Sequence, residues 1–248
     1  MDKQVKVFDF DVKIFTNDTF QEAMEIFCLE GKMRSVLFLS LPILEEIMVS
    51  EEYKSKISKF QVLLPGEENV LLMHPLEEFR QQSVIMDEQW LCRILKCIEQ
   101  ERKSLYLVGD YVDKLECFLA FCEEYYPDLN IVGSFVGADR MDEGCLLNDI
   151  NTACPDVILT ALAPQFQENW IISNVDKLNG SVCIGADILV TQIVNKYKEE
   201  VEEENSNTLY YKFCKFKKII VNNCQKRIFR MDYEHYMKQR EEHAKEKG

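Results

Sequence analysis

The 248-residue chain has no apolar run of the ~18–20 residues that a bilayer-spanning helix needs. The stretch from Ser35 to Leu44 is too short and is interrupted by Ser40 and Pro42. Ten cysteines are present, yet none forms a C-x-x-C pair or a zinc-ligand spacing. The opening Met1-Asp-Lys-Gln-Val-Lys lacks a basic segment followed by an apolar one, so no secretory leader is expected. Reduced cytosolic thiols follow from that, with Cys92, Cys97, Cys117 and Cys122 read as small apolar residues on helix faces. The three histidines, His74, His235 and His243, make no spaced cluster, which argues against a metal site or a histidine-based triad. There is no G-x-G-x-x-G fingerprint, because Gly133-Ser-Phe-Val-Gly137 has the wrong spacing. A formal charge of −14 excludes a nucleic-acid-binding surface over most of the molecule.

That charge is unevenly spread. Glu199-Glu-Val-Glu-Glu-Glu204 is strongly acidic, and Asn205-Ser-Asn207 reads as a linker. Beyond it come Lys212, Lys215, Lys217, Lys218, Lys226, Arg227 and Arg230, with no acid between Thr208 and Arg230. Two parts are therefore expected: an α/β domain over 1–204 and a basic helical appendage over 205–248. Tyr210, Tyr211, Phe213, Phe216, Ile219, Ile220 and Phe229 interleave with the basic residues. Such a segment suits an anionic membrane surface, at about 1 kcal/mol per basic residue. The alternative is a helix docking its apolar side on the domain or on a second subunit, as in a homo- or hetero-oligomer.

The hydrophobic fraction of 47% is ample for a sizeable core. Val5 to Phe15 alternates like a strand or hairpin, and Thr16-Asn-Asp-Thr19 caps a helix with Phe20, Ala23, Met24 and Phe27 on one face. Ser35–Leu39 and Phe60–Leu64 read as strands around a helical Pro42–Lys56, with Val70–Met73 a short strand or loop. Asp87–Arg102 is an amphipathic helix burying Trp90, Leu91, Ile94 and Ile98. Then come Ser104-Leu-Tyr-Leu-Val-Gly-Asp110, Tyr126-Pro-Asp-Leu-Asn-Ile-Val-Gly-Ser134 and Asn151-Thr-Ala-Cys-Pro-Asp-Val-Ile-Leu-Thr-Ala-Leu162. Each is separated by a helix-length interval, the signature of parallel βαβ units. A last strand, Ser181–Gly185, leads into a helix over Asp187–Glu204. Ligands of such sheets sit beyond the carboxyl ends of the strands, which directs attention to Gly109, Gly133-Ser134 and Gln167-Glu168.

The order and wording of these segments resemble the WecG/TagA/CpsF family of glycosyltransferases. The carrying phrases are Tyr126-Pro-Asp-Leu-Asn-Ile-Val-Gly133, Asn151-Thr-Ala-Cys-Pro-Asp156 and Ala161-Leu-Ala-Pro-Gln-Phe-Gln-Glu-Asn-Trp170. The resemblance implies a Rossmann-like parallel sheet flanked by helices, with the C-terminal appendage meeting a lipid acceptor. It implies transfer of an N-acetylhexosamine from a UDP-sugar to a polyprenyl-diphosphate-linked acceptor, at the inner face of the cell membrane, in cell-surface polysaccharide or teichoic acid synthesis. Members invert the anomeric centre without a metal, and no cofactor is implied.

Several phrases depart from the family pattern. Where the family carries "Leu-Pro-Asp-Gly-x-Gly-Val", with Asp as base, this chain reads Leu64-Pro-Gly-Glu-Glu-Asn-Val70, so Gly66 stands at the Asp position. Glu67 and Glu68 are candidates for a displaced base, against a solvated acidic turn. Asp110 replaces a second Gly after the Ser104 strand, and the family's "Gly-Gly-x-Phe-Asp-Phe" survives as Ile184-Gly-Ala-Asp-Ile188. Gly109, Gly133, Ser134 and Gly137 are the expected points of close approach to donor phosphate and sugar. Gln167 and Glu168 match the substrate-contacting pair, the alternative being an acid at a helix N-terminus. Asp87 corresponds either to the acid of "Gly-x-Asp-Leu" or to a plain N-terminal helix acid. A non-catalytic member acting as a binding or regulatory subunit is the competing expectation.

Overall fold

The computed structural model describes residues 3–28, 33–72, 74, 79, 83–137, 143–205, 229 and 231–242. The alternating N-terminal segment is a hairpin of β1 (Lys3–Val7) and β2 (Phe10–Ile14), paired antiparallel. After α1 (Phe20–Cys28) the chain enters β3 (Arg34–Leu39), whose residues from Ser35 onward are all buried, as in a central parallel strand. The helical stretch expected from Pro42 to Lys56 is broken into α2 (Leu41–Val49) and α3 (Glu51–Ile57). Ser50 makes the break: its amide closes α2 on the Glu46 carbonyl, and its hydroxyl caps α3 by accepting from the Tyr53 amide at 3.1 Å.

β4 (Val62–Pro65) follows, then a 3-10 turn over Glu68–Leu71 where a short strand or loop was expected. The amphipathic helix is α4 (Gln89–Gln100), with Trp90, Leu91, Ile94 and Ile98 fully buried. The βαβ series is then β5 (Ser104–Gly109), α5 (Val112–Tyr125), β6 (Asn130–Val136), α6 (Glu143–Ala153), β7 (Val157–Ala161), α7 (Phe166–Asn174), β8 (Val182–Gly185) and α8 (Asp187–Asn205).

The strands from β3 onward form one six-stranded sheet in the order β4-β3-β8-β7-β5-β6. Every pairing in it is parallel. All the carboxyl ends therefore lie along one edge. Successive side chains point to opposite faces. Val36, Phe38, Leu105, Leu107, Val157 and Leu159 join the core that contains α1, α4, α5 and α8 side chains. Leu37, Leu39, Tyr106, Val108 and Ile158 join the other, with α2, α3, α6, α7 and the hairpin. Trp90 anchors the first layer inside a ring of Phe15, Phe20, Phe27 and Phe38. Both faces are covered, so this is an α/β Rossmann-like architecture.

A final helix, α9 (231–242), docks on the tip of the hairpin. Phe8 meets Tyr233 and Tyr236 edge-to-face at 5.0 and 5.4 Å, Phe229 is buried beside them, and Arg240 pairs with Asp9 at 3.0 Å. The basic residues Lys212, Lys215, Lys217, Lys218, Lys226, Arg227 and Arg230 lie outside the described residues. Among the described residues, no helix is long and apolar enough to cross a membrane.

Candidate functional site

At the β3–β4 end of the carboxyl edge, Gly66 continues the ladder by donating its amide to the Leu39 carbonyl at 2.9 Å. A Cβ on residue 66 would lie 2.6 Å from Ile188 Cγ2 and 2.7 Å from the Leu39 oxygen. Backbone cannot yield as the tip of a side chain can, so this position is restricted to glycine. The absence of a side chain at position 66 is thus built into the packing of β3, β4 and α8.

Glu67 turns toward α2. Its Oε1 accepts from the Leu41 amide at 2.7 Å and its Oε2 from Asn69 Nδ2 at 2.9 Å. Ser40, the N-cap of α2, makes no side-chain cap of its own, so Glu67 supplies the missing acceptor from across the loop. This carboxylate is a helix cap. The Glu68 amide donates to Asp87 Oδ1 at 3.2 Å, bringing the segment before α4 onto the end of β4. Asp87 adopts a left-handed φ of 55°, a strained setting for a non-glycine residue. Burial pushes its carboxyl up to about 6; the Glu68 amide opposes the rise, and the charges of Glu88, Glu67 and Glu68 reinforce it.

Two buried oxygens at this end have no hydrogen-bond partner, Asn69 Oδ1 and Gln192 Oε1. Gln192 reaches over from α8, its Nε2 donating to the Gly66 carbonyl at 3.3 Å. Buried polar atoms of folded proteins are almost always satisfied, by protein, water or ligand, so both oxygens have room for a further donor.

Farther along, β5 and β8 bring together Asp110, Lys114 and Asp187. Lys114 donates to Asp187 at the start of α8 and faces Asp110 at 3.5 Å. Burial raises the Asp187 carboxyl; Lys114 works against the rise, and Asp110 with it. Asp110 therefore does not present a bare anion, because an ammonium held between two carboxylates neutralises much of it. The spacing of Asp110 and Lys114 is a legible i, i+4 pair. The arrival of Asp187, 73 residues beyond Lys114, is a product of the fold.

The glycines separate clearly. Gly109 closes β5, and its carbonyl accepts from the Gly137 amide at 2.9 Å. Gly137 has φ of 83° and open space where a Cβ would stand. Both lie at the carboxyl edge. Gly133 and Ser134 do not, which corrects the sequence expectation. β6 runs on to Val136, so both lie in mid-strand. Gly133 is small because the Tyr106 ring crosses it: an added Cβ would meet Tyr106 Cε2 at 2.5 Å.

Gln167 and Glu168 lie in the first turn of α7, beneath the edge. Both are buried, at 2% and 0% exposure. Glu168 accepts from the Tyr53 hydroxyl at 2.9 Å and from the Gln165 amide. Gln165 returns the bond to the Glu168 amide, completing a capping box around an N-cap strained to φ of 67°. Gln167 Oε1 accepts from the Thr160 hydroxyl at 2.9 Å. Burial raises the Glu168 carboxyl, against four hydrogen bonds that lower it, from Tyr53 foremost. Tyr53 and Thr160 carried no sequence signal, since Tyr53 is 115 residues from its partner. Among the described residues, no group of three or more His, Cys, Asp or Glu side chains converges as a metal site.

No curated protein matches the chain. The family model described as the glycosyl transferase WecG/TagA/CpsF family matches residues 5–198, from the hairpin through the six-stranded sheet and most of α8. Sheet, carboxyl edge and polar clusters all fall inside that match. This chain belongs to the WecG/TagA/CpsF family of glycosyltransferases.

Proposed function

We propose that this protein transfers an N-acetylhexosamine from a UDP-sugar to a polyprenyl-diphosphate-linked acceptor in the assembly of cell-surface polysaccharide or teichoic acid. The observation that carries the reading is the family match over residues 5–198, which spans every strand whose carboxyl end lines the edge. Transfer with inversion needs a base at the acceptor hydroxyl and donors around the departing diphosphate. Lys114 lies between Asp110 and Asp187 at the ends of β5 and β8, and Gly109 and Gly137 leave backbone accessible to a phosphate or sugar. Glu168, through its capping box with Gln165, and Gln167, through Thr160, hold the floor of the site, and no metal is needed in this scheme. Residues 1–204 act as the transferase-like part, and 205–248 as an appendage. Its Lys212, Lys215, Lys217, Lys218, Lys226, Arg227 and Arg230 meet the anionic inner face of the membrane.

A second reading has one specific observation behind it. Gly66 admits no side chain, so the family's usual base is missing, as in a non-catalytic subunit that pairs with an active homologue. Calorimetric titration with UDP and a panel of UDP-N-acetylhexosamines separates the two. Saturable binding of a UDP-sugar is expected. A folded protein that binds no nucleotide at millimolar concentration would overturn the transferase reading in favour of the subunit.

A further inference from the structure

The acidic residues around the end of β4 are held in different ways. Gly66 bears no side chain and has no room for one. Glu67 is held at both oxygens by the Leu41 amide and Asn69. Asp87 arrives from outside the loop, bound through one oxygen, Oδ1, to the Glu68 amide two residues beyond Gly66. It is half-buried rather than sealed, and its backbone is held in a left-handed conformation. Strain of this kind persists only where the surrounding structure enforces it. In the same loop Asn69, 9% exposed, carries a buried Oδ1 without a hydrogen-bond partner while its Nδ2 holds Glu67. A hydroxyl or amide of a bound sugar would complete it.

We propose that Asp87 is the general base of the transfer, taking over the role left open by Gly66. The inference rests on the transferase reading above. The Asp87 carboxylate removes the proton of the acceptor hydroxyl, and the freed oxygen bonds to the anomeric carbon of the donor. The anomeric carbon–oxygen bond to the diphosphate breaks, and the nucleoside diphosphate leaves with the electron pair. The proton stays on Asp87 until solvent removes it. The groups facing Asp87 are Glu67 and Glu68 from the β4 loop and Glu88 from its own turn. Lys196 of α8 pairs with Glu88 at 3.3 Å. Burial and these acids set its carboxyl near neutrality, where a base both accepts and releases a proton readily.

The test compares the full-length wild type with Asp87→Asn, Asp87→Glu, Glu67→Gln and Glu68→Gln. Binding of UDP and UDP-N-acetylhexosamines is measured by calorimetry. UDP release is followed with a polyprenyl-diphosphate-linked N-acetylglucosamine in detergent micelles. Asn tolerates a left-handed φ, so Asp87→Asn is expected to fold, which a thermal scan confirms. Expected are unchanged donor affinity, turnover lowered ~10²-fold or more, and loss of the acidic limb that the wild-type pH–rate profile shows near pH 6. Asp87→Glu retains part of the rate, and Glu68→Gln, which keeps the amide that holds Asp87 but removes a nearby charge, loses less than Asp87→Asn. Asp87→Asn turning over within threefold of wild type overturns the assignment, as does a larger loss in Glu68→Gln. Wild type that binds donor but releases no UDP also overturns it while leaving donor binding intact. Absence of donor binding removes the transferase reading itself.

Discussion

Two parts of the carboxyl edge, one at its β4 end and one around α7 after the interior strand β7, are built differently. Around α7, where the family phrase is best kept, Gln167 and Glu168 are sealed from solvent and hydrogen-bonded to Thr160, Tyr53 and Gln165. Around β4, where the phrase is most altered, a strained Asp87, a glycine with no room for a side chain and two unpartnered buried oxygens lie together. The comparison teaches that resemblance to a motif marks what the fold needs as much as what the chemistry needs. Satisfied, buried polar groups hold a structure in one shape. Around β4 the buried oxygens of Asn69 and Gln192 remain open to a further donor.

The largest expected effect comes from forcing the family residue back. Gly66→Asp drives a carboxylate against the Leu39 carbonyl and Ile188, and should destabilise the protein by about 4 kcal/mol or more without raising turnover. Urea unfolding measures the first and UDP release the second; a stable, faster variant would dissolve the contrast between the two regions.

Next comes Glu168→Ala, which strands the Tyr53 hydroxyl and the Gln165 amide in a buried place. A loss of about 3 kcal/mol is expected, with Tyr53→Phe costing about 1–2 kcal/mol. A variant as stable as wild type but unable to bind a UDP-sugar would move Glu168 from floor to pocket.

The smallest effect has the opposite sign. The Asp87 carboxyl is raised in the folded state from its ordinary 3.8 to about 6. Between those values the folded protein binds more protons than the unfolded chain. Stability from this group is therefore full below about pH 4 and is lost as pH rises through 6. Asp87→Asn should consequently be more stable than wild type at pH 7.5, by on the order of 1–2 kcal/mol, and the gap should close by pH 4. Thermal melts at the two pH values check it; a variant less stable at pH 7.5 would mean that Asp87 serves the fold.

Much of the scaffold was legible in the residues. The Val-, Ile- and Leu-rich runs of β5 and β7 occur where expected, and the buried stripe of α4 contains the four residues its periodicity named. The limits of β6 were misjudged because Gly133 reads as a strand end. Its cause is the Tyr106 ring on the neighbouring strand, which no local pattern reveals. The break at Ser50 was hidden by a helical composition on both sides of a single capping hydroxyl. Glu67 looked like a base because it follows the missing Asp, while its partner, the Leu41 amide, lies 26 residues earlier.

By itself the sequence determined the order of strands and helices, the parallel sheet and the family. These follow from periodicity and phrase order, which act over short stretches of chain. Only the tertiary structure decided which acids cap helices, which are buried in a network and which stand open beside Gly66. That depends on partners brought together from 19 residues away, for Glu68 and Asp87, up to 126, for Gly66 and Gln192. A side chain's environment, more than its type, sets what chemistry it is able to do.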